Sequence, residues 1–116
     1  MLKVPNVDKY IWAHSSWKTH IRKAIDTGVS EFTVENTCKD DRCELGKWIY
    51  GLQSEQKTAP EWTKLKAMHA QFHTEAGQVL KLALDGRKQD AEQALAIGSA
   101  FSKVSSGLVM FLTELK

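Results

Sequence analysis

The chain has 116 residues, 42% of them hydrophobic and 26% charged, with a formal net charge of +2. That is the length of one domain (residues 1–116) and an ordinary globular composition, enough to bury a core without obligatory disulfides. The small, dispersed excess of Lys and Arg argues against nucleic acid or an anionic membrane as partner. No apolar run is read as reaching the roughly 18 residues of a membrane span, and Met1-Leu2-Lys3-Val4-Pro5 lacks the apolar core of a signal peptide. The expected location is the cytoplasm, where two cysteines are thiols or metal ligands rather than a structural disulfide.

Asn6 and Asp8 can start a helix. From there Val7, Tyr10, Ile11, His14, Trp17, Ile21, Ala24 and Ile25 recur at the three-and-four spacing of one helical face. The predicted first helix runs to about Asp26 and is ended by Gly28. His14 lies on the apolar seam, as a core residue or as a ligand. His20 falls about 120° around the helix and is expected to face solvent.

Residues 29–40 carry β-branched and turn-forming types without helical period and read as a connecting loop. A short helix is predicted over 41–52. Asp41 with Glu44 three residues on reads as a capping box, which puts Cys43 in the first turn. Unpaired N–H groups and the helix dipole there favour a negative sulfur, so the thiolate is expected to form readily. A polar link from Gln53 to Ala59 follows, and Thr58 and Glu61 bracket Pro60 in another helix-start pattern.

The third helix has the strongest period. Trp62, Leu65, His69, Phe72, Ala76, Val79, Leu80 and Ala83 form one stripe, stopped at Asp85-Gly86. His69 and His73, four apart, project from one face a turn apart, so two imidazoles can converge on one ion. Asp90 with Gln93 opens a predicted fourth helix with Leu95, Gly98, Phe101, Val104, Leu108, Phe111, Leu112 and Leu115 on its inner side. The expected fold is all-α, an antiparallel four-helix bundle with an additional short helix between the first and third helices.

His14, Cys43, His69 and His73 together have the donor types of a tetrahedral zinc site, three imidazoles and one thiolate. Burying several imidazoles without partners is costly, and a shared ion explains them. Catalytic alternatives lack their residues. No glutamate follows His69 in a His-Glu-x-x-His arrangement, since Ala70, Gln71 and Phe72 stand there. The cysteines are not a Cys-x-x-Cys pair. Neither His69 nor His73 has a glutamate three before it, as a di-iron bundle needs; Lys66 and Ala70 stand there.

His14-x2-Trp17-Lys18, Cys43-x-Leu45-Gly46-x-Trp48 and His69-x3-His73, in that order, resemble the chemoreceptor zinc-binding domain, over about residues 5–115. That domain occurs in bacterial chemoreceptors and, as a regulatory module, on diguanylate cyclases. The resemblance implies zinc on His14, Cys43, His69 and His73, a four-helix bundle, a homodimer, and a signal passed to an output module. The chain has no room for a methyl-accepting, cyclase or ligand-sensing domain, so the output is expected from a separate signalling partner or from protein beyond this chain.

Trp17 and Trp48 match the family and are expected to wall the site. Trp12 and Trp62 read equally as core or dimer contacts. Cys38 reads as a free thiol or as a resolving partner for oxidised Cys43, and Gly46 as permitting close packing or a local bend. The functional expectation is a non-catalytic sensory or regulatory zinc module of bacterial chemotaxis or cyclic-di-GMP control, responding to zinc level or to oxidation of Cys43. The alternative is a structural-zinc dimerisation or adaptor domain.

Overall fold

A computed structural model describes residues 2–52 and 55–116 of the chain. Gln53 and Ser54, in the predicted polar link, lie outside the described residues. Among the described residues the fold is all-helical, without strands. In chain order the helices are α1 Val7–Ser15, α2 Trp17–Thr27, α3 Val34–Thr37, α4 Glu44–Tyr50, α5 Pro60–Leu84, α6 Lys88–Leu95 and α7 Ala100–Glu114, with a 3₁₀ turn at Gln56–Thr58.

Two predicted helices are each divided. The first is interrupted at Ser16, whose hydroxyl donates to the Ala13 carbonyl at 2.9 Å. A serine bonding back to the preceding turn competes with the main-chain ladder, although the Ser16 N–H still donates to the Trp12 carbonyl at 3.0 Å. The predicted fourth helix is broken over Ala96–Ser99. Gly98 takes a positive φ of 90°, and Ser99 caps α7 by accepting from the Ser102 N–H at 3.2 Å. Gly98 is therefore a hinge between two helices instead of an inner-face residue. The stretch Lys88–Glu114 also has the length and mean hydropathy, 1.5, of a membrane span, which counting apolar runs passed over. Here it is two helices that pack on α1, α2 and α5.

The 25-residue α5 is the spine. It packs against α7, α2, α3, α6 and α4, while α1 lies on α7. Pro60 stands at its first position, where the missing N–H costs nothing, and Asp85-Gly86 ends it, with Gly86 at φ 80°. Its inner stripe is buried as the sequence period requires. Leu65, Phe72 and Leu80 are fully enclosed with Ile21, Leu45, Ile49, Leu95, Leu108 and Leu112. Leu2 and Val4 also join the core, and the Val4 N–H donates to the Leu115 carbonyl at 3.0 Å.

Residues 29–52 are more ordered than a plain loop. Thr33 caps the single turn α3. The short α4 is fastened to α5 by the Trp62 indole N–H, which donates to the Ile49 carbonyl at 3.0 Å. The Tyr50 hydroxyl donates to the Asp40 carboxylate at 2.5 Å. Gly46 is required here, because a Cβ on it would come 1.8 Å from the Asp40 carbonyl oxygen.

Candidate metal centre

His69 and His73 leave the buried face of α5 one turn apart, His14 comes from the last turn of α1, and Cys43 stands at the start of α4. The structure brings all four side chains to one point, with one donor atom of each within 4.8 Å of the others. His69 Nε2 lies 3.0 Å from His73 Nε2 and 3.1 Å from His14 Nε2. Cys43 Sγ lies 3.1 Å from His69 Nε2, 3.5 Å from His73 Nε2 and 3.8 Å from His14 Nε2. A tetrahedral zinc with Zn–N and Zn–S bonds of about 2.05 and 2.3 Å separates its nitrogens by about 3.3 Å and its sulfur from each nitrogen by about 3.6 Å. The sulfur–nitrogen separations scatter around that value, and the two nitrogen–nitrogen separations are slightly shorter than theirs.

Protonation makes the case independently. The Nδ1–H of His14 donates to the Tyr10 carbonyl at 2.8 Å, and that of His73 to the Thr37 carbonyl at 3.0 Å. These partners assign the proton to Nδ1 and leave each Nε2 a bare lone pair aimed inward. They are the outer-shell carbonyls that orient metal-bound imidazoles. Three nitrogens and a sulfur then face one another at close range, with too few protons to pair them. The Nδ1 of His69 is buried without a partner. Such a group of acceptors is unfavourable unless a cation stands among them. The residues present fit a zinc ion.

Burial keeps the imidazoles neutral, ready to ligate. His14, His69 and His73 are 2%, 0% and 3% exposed. Loss of solvation lowers His14 to about 4, outweighing its bond to the Tyr10 carbonyl, and lowers His69 to about 2, aided by its two histidine neighbours. His73 is also lowered, desolvation again leading.

The sulfur departs from expectation in two ways. Cys43 is not in the first turn behind an Asp41 cap. It is itself the N-cap, with Sγ accepting from the Gly46 N–H at 3.4 Å. Burial pushes its thiol up, and the N–H of Gly46 recovers only part of the loss. A thiolate here needs a cation; the helix terminus alone does not supply one.

Phe72 forms the apolar floor, with ring centroids 5.1 Å from His14 and 5.5 Å from His73. Trp17 stands over the Cys43 side, 4.9 Å from Phe32. Trp48 is half-buried against the core. His20 does not face solvent freely; it is half-buried against Trp17 and Phe32, at 5.4 and 4.9 Å. Trp62 is an α4 anchor, whereas Trp12 is 73% exposed. Cys38 is exposed, a free thiol whose sulfur lies on Gly77, where a Cβ would meet it at 2.2 Å. The Tyr10 and Thr37 carbonyls could not be found from sequence, because any residue type carries one. Phe72 was legible only as a member of a core stripe.

The sequence profile of the chemoreceptor zinc-binding domain matches residues 14–80, more than half of the chain, a span that contains His14, Cys43, His69 and His73. No match is found among curated proteins or among solved structures. With that profile over its donor-bearing segment, and with those donors gathered at one point, the chain belongs to the chemoreceptor zinc-binding domain family of zinc-binding signalling modules.

Proposed function

We propose that this domain is a sensor whose signal is the state of the bond between zinc and Cys43. One observation carries the reading: the four donors are unequally held. Three come from α1 and α5 and are buried, whereas Cys43 is half-buried and caps a helix of seven residues. Removing the zinc, or oxidising Cys43 so that it no longer ligates, leaves α4 held by Trp62 and core contacts and releases residues 29–52 from one of their fastenings. His14, His69, His73 and Cys43 would hold the ion, and in such a site zinc supplies charge neutralisation and cross-linking. Four protein donors close the coordination shell, so we read the module as regulatory, without a catalytic step.

The finer architecture and the partners belong to the same proposal. The packing of α1–α2, α5 and α6–α7 is compatible with an antiparallel four-helix bundle in which the divided helices act as single members. The reading includes a homodimer that passes the change to a chemotaxis or cyclic-di-GMP output protein, as the family resemblance suggests. The exposed Trp12 and Met110, 73% and 66% accessible, are available to such a partner. A structural-zinc adaptor would place the same surface in a permanent contact, with the ion never exchanging.

Hydrogen exchange separates the two readings. In the sensor, amides of residues 34–50 exchange at least about tenfold faster after zinc removal, while the α5 amides change less. Unchanged exchange in that segment would leave zinc without a moving part and sink the sensor reading.

A further inference from the structure

We propose that the cavity beside Cys43 is a binding site for a small peptide-like thiol carrying two carboxylates and one ammonium, which takes zinc from the centre by replacing the Cys43 sulfur. The inference rests on the zinc reading above and deepens it. The cavity, about 300 Å³, has Cys43 and His73 in its lining. That is the lower end of the range for sites that take small organic ligands. His14 and His69 do not line it, so Cys43 and His73 are the donors an entering molecule meets.

The walls define the occupant's chemistry. Trp17 and Phe32 form an apolar side suited to the methylene chain of a small peptide. Lys39 and Arg42 supply two cations to the lining, and Glu31 its single carboxylate. Lys39 pairs with Glu35 at 3.5 Å and Arg42 with Asp41 at 3.8 Å, but these ion pairs are largely solvated and their carboxylates do not line the cavity. Exposed pairs of that kind are weak and exchange readily for a ligand's carboxylates. Two cations with one anion complement two carboxylates with one ammonium. A thiol on such a molecule is the donor chemically equivalent to Cys43.

The exchange balances without an oxidant. The incoming thiol would form a sulfur–zinc bond as the Cys43–zinc bond breaks, and its proton would pass to the Cys43 sulfur. His14, His69 and His73 would still hold the ion once the Cys43 sulfur is replaced, and a chelating acceptor would then take it by supplying donors in place of those three nitrogens.

The test follows zinc release from the zinc-loaded full chain to a chromophoric chelator, with reduced glutathione as the probe thiol. The release rate is expected to saturate with glutathione concentration, and S-methylglutathione, which carries the same charges without a free thiol, is expected to slow it competitively. In the Lys39→Glu/Arg42→Glu variant the half-saturating glutathione concentration should rise about 5- to 10-fold, whereas 2-mercaptoethanol should give a linear, unsaturating dependence in both proteins. Comparing the two thiols within each variant removes any change in zinc affinity. A linear glutathione dependence, or a half-saturation unmoved by the charge reversals, overturns the proposal and leaves the zinc reading standing. A chain that takes up no zinc, visible before any thiol is added, overturns both.

Discussion

The Nδ1–H of His73, on the long spine helix, donates to the Thr37 carbonyl, at the end of the single turn α3, at 3.0 Å. One turn further along α5, Cys38 lays its sulfur on Gly77. One donor of the centre is thus oriented by the segment that also leads to the least buried of the four, Cys43.

A methyl group at Gly77 tests that coupling. The Cβ of Gly77→Ala would stand 2.2 Å from Cys38 Sγ, so α3 must move and the carbonyl over His73 moves with it. Zinc affinity is expected to fall about tenfold, the scale of an outer-shell change, and the second substitution Cys38→Ala should restore most of it. Competition titration with a zinc indicator reads both. Equal affinity in parent and Gly77→Ala would mean that His73 does not depend on α3.

Loss of the sulfur should be more severe. Cys43→Ser is expected to weaken zinc binding by more than about 100-fold, because a charged first ligand is lost in addition to orientation. Cys38→Ser should stay within about threefold of the parent, since its exposed thiol is outside the donor set. About one zinc per chain in the parent is the reference, measured by elemental analysis of dialysed protein. Retention of zinc at equal affinity by Cys43→Ser would move the fourth ligand elsewhere.

The zinc-free protein should be acid-sensitive over a defined range. His14 and His69 are lowered to about 4 and about 2 in the fold, chiefly by burial, from an ordinary value of 6.5. In the unfolded chain they bind protons near 6.5, so below that pH the unfolded state holds more protons and is favoured. Stability is unaffected by these groups above pH 6.5 and is lost progressively below it, down to about pH 4 for His14 and about pH 2 for His69. Thermal unfolding of the metal-free chain should therefore give a flat Tm above about pH 7 and a falling one below about pH 6. A Tm that rises on acidification in that range would contradict neutral, buried imidazoles.

Gly46→Ala probes the seat of α4. With a Cβ only 1.8 Å from the Asp40 carbonyl oxygen, backbone must give way, at a cost of about 1–3 kcal/mol. The urea midpoint of the zinc-loaded protein should drop accordingly, with little change in slope. A midpoint unchanged from the parent would mean that the 40–41 backbone is free to retreat.

Much of the site was legible because its parts are local. His69 and His73 are ligand-spaced by the helical repeat alone, His14 lies on a seam whose period is unambiguous, and a helix start near Cys43 is announced by its neighbours. Two things misled. A continuous apolar stripe concealed the breaks at Ser16 and at Ala96–Ser99, since periodicity persists across a hinge that realigns the same faces. His20 was assigned by angle on its own helix, whereas its surroundings come from Phe32, which only the folded loop brings near.

Residue types and helical spacing thus settled which side chains are able to ligate and that the chain is helical, because both follow from chemistry carried within a few residues. The protonation of the centre was decided only by folding. The Thr37 carbonyl, brought from α3 onto α5, fixes the tautomer of His73, whereas that of His14 is fixed one turn back on its own helix by Tyr10, and enclosure among apolar helices outweighs the pull of the α4 terminus on the Cys43 sulfur. Desolvation and carbonyl direction depend on everything packed around a group, so they exist only once distant segments have met.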